Sequence, residues 1–178
     1  MKKSISLLLS TLMVFTMVFG LTGCGKAEVT LVNKTVNALS FDTPDDFGEF
    51  AETQGVMIAT NEDSTASITV STIGDAQGYA VTDWTEESYK QAAIPNFTDV
   101  KFLEFNTNAT VDDMPALYAH FTAKNSKGVE FENYSYIIYF PLDDGATMFQ
   151  SISFAANKSV DSSLKSNIDT IINSIKIG

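Results

Sequence analysis

The sequence contains no arginine; all eleven of its basic residues are lysine. Arginine is the usual bidentate partner of phosphate and carboxylate, and clustered basic residues supply most nucleic-acid affinity. With 22 acidic residues and a formal net charge of −11, nucleic-acid binding is excluded as a function class. Cysteine and histidine occur once each, as Cys24 and His120. No disulfide can form within the chain, and no cluster of thiolates or imidazoles can hold a metal. Histidine-dependent nucleophilic catalysis has one imidazole to draw on, and no Gly-x-Ser-x-Gly elbow accompanies it. Only four prolines occur, and no repeat, low-complexity tract or linker interrupts the chain after its N-terminal segment.

What is present begins with an address. Lys2 and Lys3 precede an apolar run from Ile5 to Leu21, which ends in Leu21-Thr22-Gly23-Cys24. A positive start, an apolar stretch and small residues before a cut have the order of a secretory signal. The tetrapeptide resembles the bacterial lipobox, in which the cut falls between Gly23 and Cys24. The Cys24 thiol then receives diacylglycerol and carries acyl chains such as palmitate. The alternative, an uncut signal anchor, fits less well. Seventeen residues span about 25 Å as a helix, short of the roughly 30 Å hydrocarbon core. An unlipidated cut would leave an unpaired thiol at the new N-terminus. Two acyl chains exceed the single-chain threshold for lasting attachment, so the expected location is the extracytoplasmic face of a cell membrane. Lipidation would also use the only thiol, leaving an exported domain stabilised by its core alone.

Removing residues 1–23 leaves 155 of the 178 residues, the size of one domain. That is short for the two-lobed proteins that deliver solutes to importers. The removed segment carries two lysines and no acid, so the formal charge becomes −13. Anionic lipid should repel such a domain, which is expected to stand off the bilayer. The tether, Cys24 to Glu28, is short. Its last four residues reach only about 13 to 14 Å fully extended, so the domain must work near the membrane.

Residues 29–178 read as one α+β domain rich in β-branched and aromatic runs. Strand-like runs are Val29–Val32, Val36–Phe41, Val56–Thr60 and Ser67–Ile73. In the last, Ile68 and Val70 alternate with serine and threonine, as for a sheet with one covered face. Asp83-Trp84-Thr85-Glu86 has the spacing of a capping box, opening a helix that Pro95 ends. Four strands follow, over Val100–Phe105, Met114–Lys124, Val129–Phe140 and Ala146–Ala155. The third is apolar on both sides, the mark of a central strand. Val160, Leu164, Ile168, Ile171, Ile172 and Ile175 keep helical spacing, with Asp161 near the start.

This order of elements, with "FDTPDDF", a hairpin, a capped helix, "DDMPALYAHFT", "VEFENYSYIIYF", "FQSISF" and a closing amphipathic helix, resembles the PsbP-like superfamily. That group includes bacterial lipoproteins of the DcrB type. The resemblance spans nearly all of residues 36–177. It implies an α/β/α sandwich with a central, mainly antiparallel sheet, a capped middle helix and a C-terminal amphipathic helix. It carries no single chemistry, and no site residue transfers with it.

Three groups remain as candidate chemistry. His120 lies in a strand in phase with Tyr118 and Thr122, and reads as structural rather than as a catalytic base. Asp42, Asp45, Asp46 and Glu49 offer oxygens to a divalent cation, but their spacing is not that of an EF-hand loop. Solvated turn acids are the simpler account, and the pairs Asp112-Asp113 and Asp143-Asp144 read the same way. Tyr134, Tyr136 and Tyr139 with Trp84 could line a sugar- or peptide-binding face, or pack a central strand. No cofactor, metal site or catalytic residue is expected. The expected function is a non-enzymatic binding or accessory module for another envelope protein. A small-molecule or divalent-cation binder is the alternative, and a hydrolase comes last.

Overall fold

A computed structural model of the chain describes residues 29–142 and 145–178. The signal segment, the Gly23–Cys24 cut, the tether to Glu28 and the acidic pair Asp143-Asp144 lie outside the described residues.

The strands are β1 (Leu31–Val36), β2 (Leu39–Pro44), β3 (Ala51–Thr53), β4 (Val56–Thr60), β5 (Ala66–Ser71), β6 (Gly74–Asp75), β7 (Thr98–Val111), β8 (Met114–Lys124), β9 (Glu130–Pro141), β10 (Thr147–Asn157) and β11 (Lys176–Ile177). The helices are α1 (Glu86–Ala93) and α2 (Ser163–Ser174). The main sheet has the order β3-β4-β5-β10-β9-β8-β7, with β6 beside β10. A small sheet has the order β1-β2-β11. Every pairing is antiparallel.

Strand alternation divides the main sheet's side chains between two cores. From β8 and β9, Leu117, Ala119, Phe121, Phe131, Ile137 and Tyr139 join Tyr89, Ala93 and Ile94 on the α1 side. Ala116, Tyr136 and Ile138 point the other way, joining Ile152 and Phe154 of β10. There they meet Leu39 and Phe41 of β2 and Leu164 and Ile171 of α2. The sheet is therefore covered by α1 on one face and by α2 with the small sheet on the other. This is the expected α+β sandwich. The small sheet is held to α2 where the Asp42 amide donates to Ser174 Oγ at 2.8 Å.

Several elements differ locally from the sequence reading. The run Val36–Phe41 is not one strand but the corner of the β1–β2 hairpin. Asn37 there takes a φ of 55°, a left-handed conformation asparagine tolerates. Asp42, Thr43 and Pro44 belong to β2, not to a turn. β5 is buried along its whole length, polar face included, because it lies inside the sheet beside β10. β7 runs past Phe105 to Val111 as an edge strand, with register shifts where it pairs with β8. Such irregularities, with charged residues, keep a long edge from recruiting another strand. α2 begins at the Ser162 cap and ends at Ser174, and β11 follows.

The middle helix is capped two residues later than the acidic spacing suggests. Thr85 is the N-cap: Ser88 N donates to Thr85 Oγ1 at 3.1 Å, and Thr85 N donates to Ser88 Oγ at 2.9 Å. Asp83 instead accepts from the Ala80 amide at 2.9 Å, closing the turn before the helix. The threonine wins because its hydroxyl sits one residue before the first helical turn and reaches an amide that has no intrahelical partner. Thr85→Ala is expected to cost about 1 kcal/mol of stability, while Asp83→Ala leaves helix α1 capped. Urea unfolding of both variants checks the order; a larger loss in Asp83→Ala would contradict this assignment.

Candidate binding face

The structure divides the aromatic group suggested by the sequence. Tyr139 and Trp84 lie on the α1 side, where the indole Nε1 donates to the Tyr139 hydroxyl at 2.9 Å. Both are buried, so this pair is core. Tyr134 and Tyr136 point to the α2 side, in phase along β9. Cross-strand register brings two β8 residues beside them: Tyr118 opposite Tyr136, and His120 opposite Tyr134. Direct cross-strand neighbours are close enough for rings to meet. Tyr118 and Tyr136 stack with centroids 4.8 Å apart, and His120 and Tyr134 with centroids 4.3 Å apart.

This quartet is only partly covered. Tyr118, His120 and Tyr134 are half-buried, whereas Tyr136 keeps 8% of its surface exposed. His120 Nε2 lies 2.8 Å from Glu132 Oε1, with the two side chains 20% and 19% exposed. Glu132 also lies close to the Tyr134 hydroxyl. From β7, Glu104 stands opposite His120. Asp169 of α2 adds a third carboxylate near Tyr118 and Tyr134. The result is an aromatic platform with a rim of three carboxylates, at the flank of α2.

The tyrosines register that field. Burial first, then the charges of Glu104, Asp169 and Glu132, push the Tyr118 phenol up to about 12. Tyr134 is raised by burial, then by the nearby Glu132 carboxylate. Tyr136 is raised by burial, then by Tyr118 and Glu104. Across the sheet, burial pushes Tyr89 up to about 12, and the Ser135 hydroxyl opposes this. The Tyr89 and Ser135 hydroxyls face each other without closing a well-formed hydrogen bond.

These shifts have a consequence for stability. An unfolded tyrosine ionises near pH 10, whereas the folded ones hold their protons longer. Above pH 10 the unfolded chain therefore binds fewer protons than the folded chain, and stability falls as pH rises to about 12. Urea midpoints at about pH 9 and about pH 11 are expected to show this loss, and to show less of it in Tyr89→Phe. Equal losses in the two proteins would remove the assignment to Tyr89.

The acidic turn does not converge. Asp42 accepts from Asn33 Nδ2 at 3.0 Å, and Asp45 from the Thr30 amide at 3.3 Å. Asp46 accepts from Ser163 Oγ at 2.8 Å, and Glu49 pairs with Lys34 at 2.8 Å. Four acids thus serve four different partners that tie β1, β2 and α2 together. Among the described residues, no group of three or more His, Cys, Asp or Glu side chains could hold a metal ion. Asp112 and Asp113 both take left-handed φ angles in the turn between β7 and β8. Asp112 also accepts from the Ile177 amide at 3.0 Å and pairs with Lys176 at 3.1 Å, pinning β11. Those bonds hold its carboxyl below the usual range.

Sequence reasoning placed His120 in phase with Tyr118 but did not join either to Tyr134 and Tyr136. It missed Glu104, Glu132 and Asp169 altogether. The available signal was ring side chains at alternate positions on two successive strands, Tyr118 and His120 on β8 and Tyr134 and Tyr136 on β9; only the hairpin register turns that into contact.

Neither a protein-family profile nor a curated relative matches the sequence. Solved structures do. The chain is similar to LpqN of Mycobacterium tuberculosis, a protein involved in cell envelope biogenesis. Identity is 14%, the match covers 85% of this chain and 92% of LpqN, and the TM-score is 0.52. It is also similar to the Saccharomyces cerevisiae Ran-binding protein Mog1p, at 12% identity, 83% and 96% coverage, and a TM-score of 0.49. At such identities the likeness to LpqN shows a related fold and nothing more.

Proposed function

We propose that this protein is a lipid-anchored, extracytoplasmic lipoprotein with a PsbP-like domain, and a non-enzymatic binding module for another protein of the bacterial envelope. The observation that carries the binding role is the half-buried aromatic platform of Tyr118, His120, Tyr134 and Tyr136, which α2 flanks without covering. Partly exposed aromatic rings beside charged groups are the composition of recognition surfaces. The His120–Glu132 pair is the single hydrogen bond of that imidazole among the described residues. The lipobox-like Leu21-Thr22-Gly23-Cys24 supports the anchor, and the envelope role of LpqN agrees with such a setting.

The first described residues lie at the end of the domain nearest the face. The chain enters β1 at Thr30, which is bonded to Asp45; Asp46 binds Ser163 at the start of α2. Glu130, at the start of β9, lies at the same end through Lys158, Asn157 and Thr65. Tyr134 is four residues along β9, about 13 Å from that end. Affinity capture of the lipidated protein from intact membranes tests the reading. A partner recovered repeatedly above a Cys24→Ala control is the expected result; none above that control would sink it.

A further inference from the structure

The binding reading leaves open what chemistry the face selects, and the face itself narrows it. Tyr136 is more than nine-tenths buried, yet its hydroxyl has no hydrogen-bond partner among the described residues. The Tyr118 hydroxyl beside it has none either. Neither hydroxyl is sealed among the buried unpaired atoms, so both are open to solvent and available to a ligand. Around these hydroxyls stand Glu104, Glu132 and Asp169, with Lys101, opposite Thr122 on β8, and Lys165, four residues before Asp169 on α2, on the same side of the sheet. Among the described residues, only Glu132 of the three has an ion-pair partner, His120. Other lysines are taken: Lys34, Lys124, Lys158 and Lys176 each pair with a carboxylate elsewhere.

Aromatic faces carry negative potential, and tyrosines ringed by carboxylates add to it. We infer that the Tyr118–Tyr136 platform receives a lysine or arginine side chain from a basic segment of the envelope partner. The alkyl stem would lie along the rings while its cationic head meets Glu104 and Asp169 and donates to the two tyrosine hydroxyls. An anionic or purely apolar partner is disfavoured by the three carboxylates and by the net charge of the chain. The occupant is a cationic protein segment, and this inference rests on the binding-module reading above.

The test uses the lipidated protein purified in nonionic detergent and titrated calorimetrically with tetralysine, tetramethylammonium and tetraglutamate at low salt. Saturable tetralysine binding is expected, with none for tetraglutamate. Tyr118→Leu should weaken it at least about fivefold, because a ring face is lost, whereas Tyr118→Phe keeps most of it. Glu104→Gln with Asp169→Asn, both at exposed positions, should weaken it without touching the core. Glu86→Gln with Glu87→Gln, on α1 across the sheet, should leave it unchanged. Unsaturable binding, equal loss in the α1 pair, or no effect of Tyr118→Leu overturns the inference. So does tetramethylammonium binding without tetralysine binding, which would make the ligand a small organic cation. Membrane capture separates the two levels. A partner held by wild type and equally by Tyr118→Leu overturns this face while the binding module stands; a partner lost in Tyr118→Leu supports both. No partner at all ends both.

Discussion

Replacing Phe121 with alanine is expected to destabilise the folded chain by about 3–5 kcal/mol. The residue is fully buried at the middle of β8. Its ring meets Tyr89 of α1 edge-on at 6.2 Å, Phe102 of β7 at 5.7 Å and Phe131 of β9 at 6.4 Å. One ring therefore joins the helix to three adjacent strands, and its loss leaves a hole that none of the four can close alone. The neighbours cannot collapse freely, because β8 is hydrogen-bonded on both sides and Tyr89 is itself held against Phe102 and Phe105. Against a typical total of 5–15 kcal/mol, such a loss removes a large share of stability, and no disulfide within the chain offsets it. Urea unfolding measures it. Leu103→Ala, half-exposed on the edge strand, is the reference and should shift stability by no more than about 0.5 kcal/mol. A Phe121→Ala loss below about 1 kcal/mol would mean that this aromatic cluster does not hold α1 to the sheet.

Cys24→Ala is expected to abolish lipidation entirely. The proposed thiol is the only one in the chain, so no second residue can replace it. A single acyl chain gives only marginal, reversible membrane binding, at about 10⁴ M⁻¹; two chains hold the protein in place. Intact-mass measurement of membrane-extracted protein distinguishes the cases. Wild type should begin at Cys24 and carry the mass of its acyl chains. The variant should carry none, and should retain residues 1–23 if cleavage waits for the lipid. A wild-type chain found without lipid would remove the anchor, and with it the argument that the aromatic face works near a membrane.

The readable part of this fold is the part that depends on local periodicity. The bounds of β4 and β8 match their apolar alternation to the residue, and β9 shows its central position by being apolar on both sides. α2 follows from the spacing of Leu164, Ile168, Ile171 and Ile172. Where two local signals compete, the reading slips. Thr85 and Asp83 are both good caps, and only the observed start of α1 chooses between them. Val36 to Phe41 has uniform strand character, and the turn at Asn37 comes from pairing with β1, not from composition. The polar side of β5 looked solvated because alternation records side-chain type but not position within a sheet.

The same division applies to function. The sequence by itself determined the absences and the order of the N-terminal segment: no arginine, no second cysteine or histidine, an acidic chain, and a cysteine behind a signal-like stretch. These follow from composition and from order along the chain, which no folding step alters. Tertiary structure alone decided which aromatics belong together. Tyr139 is three residues from Tyr136 yet lies on the opposite face, because neighbouring positions in a strand point to opposite sides of the sheet. Tyr118 of the neighbouring strand β8 is brought to Tyr136 by hairpin register, and Asp169 comes from the distant α2 by its docking. Register and docking are set by the burial of two cores at once, a long-range outcome that no window along the sequence contains.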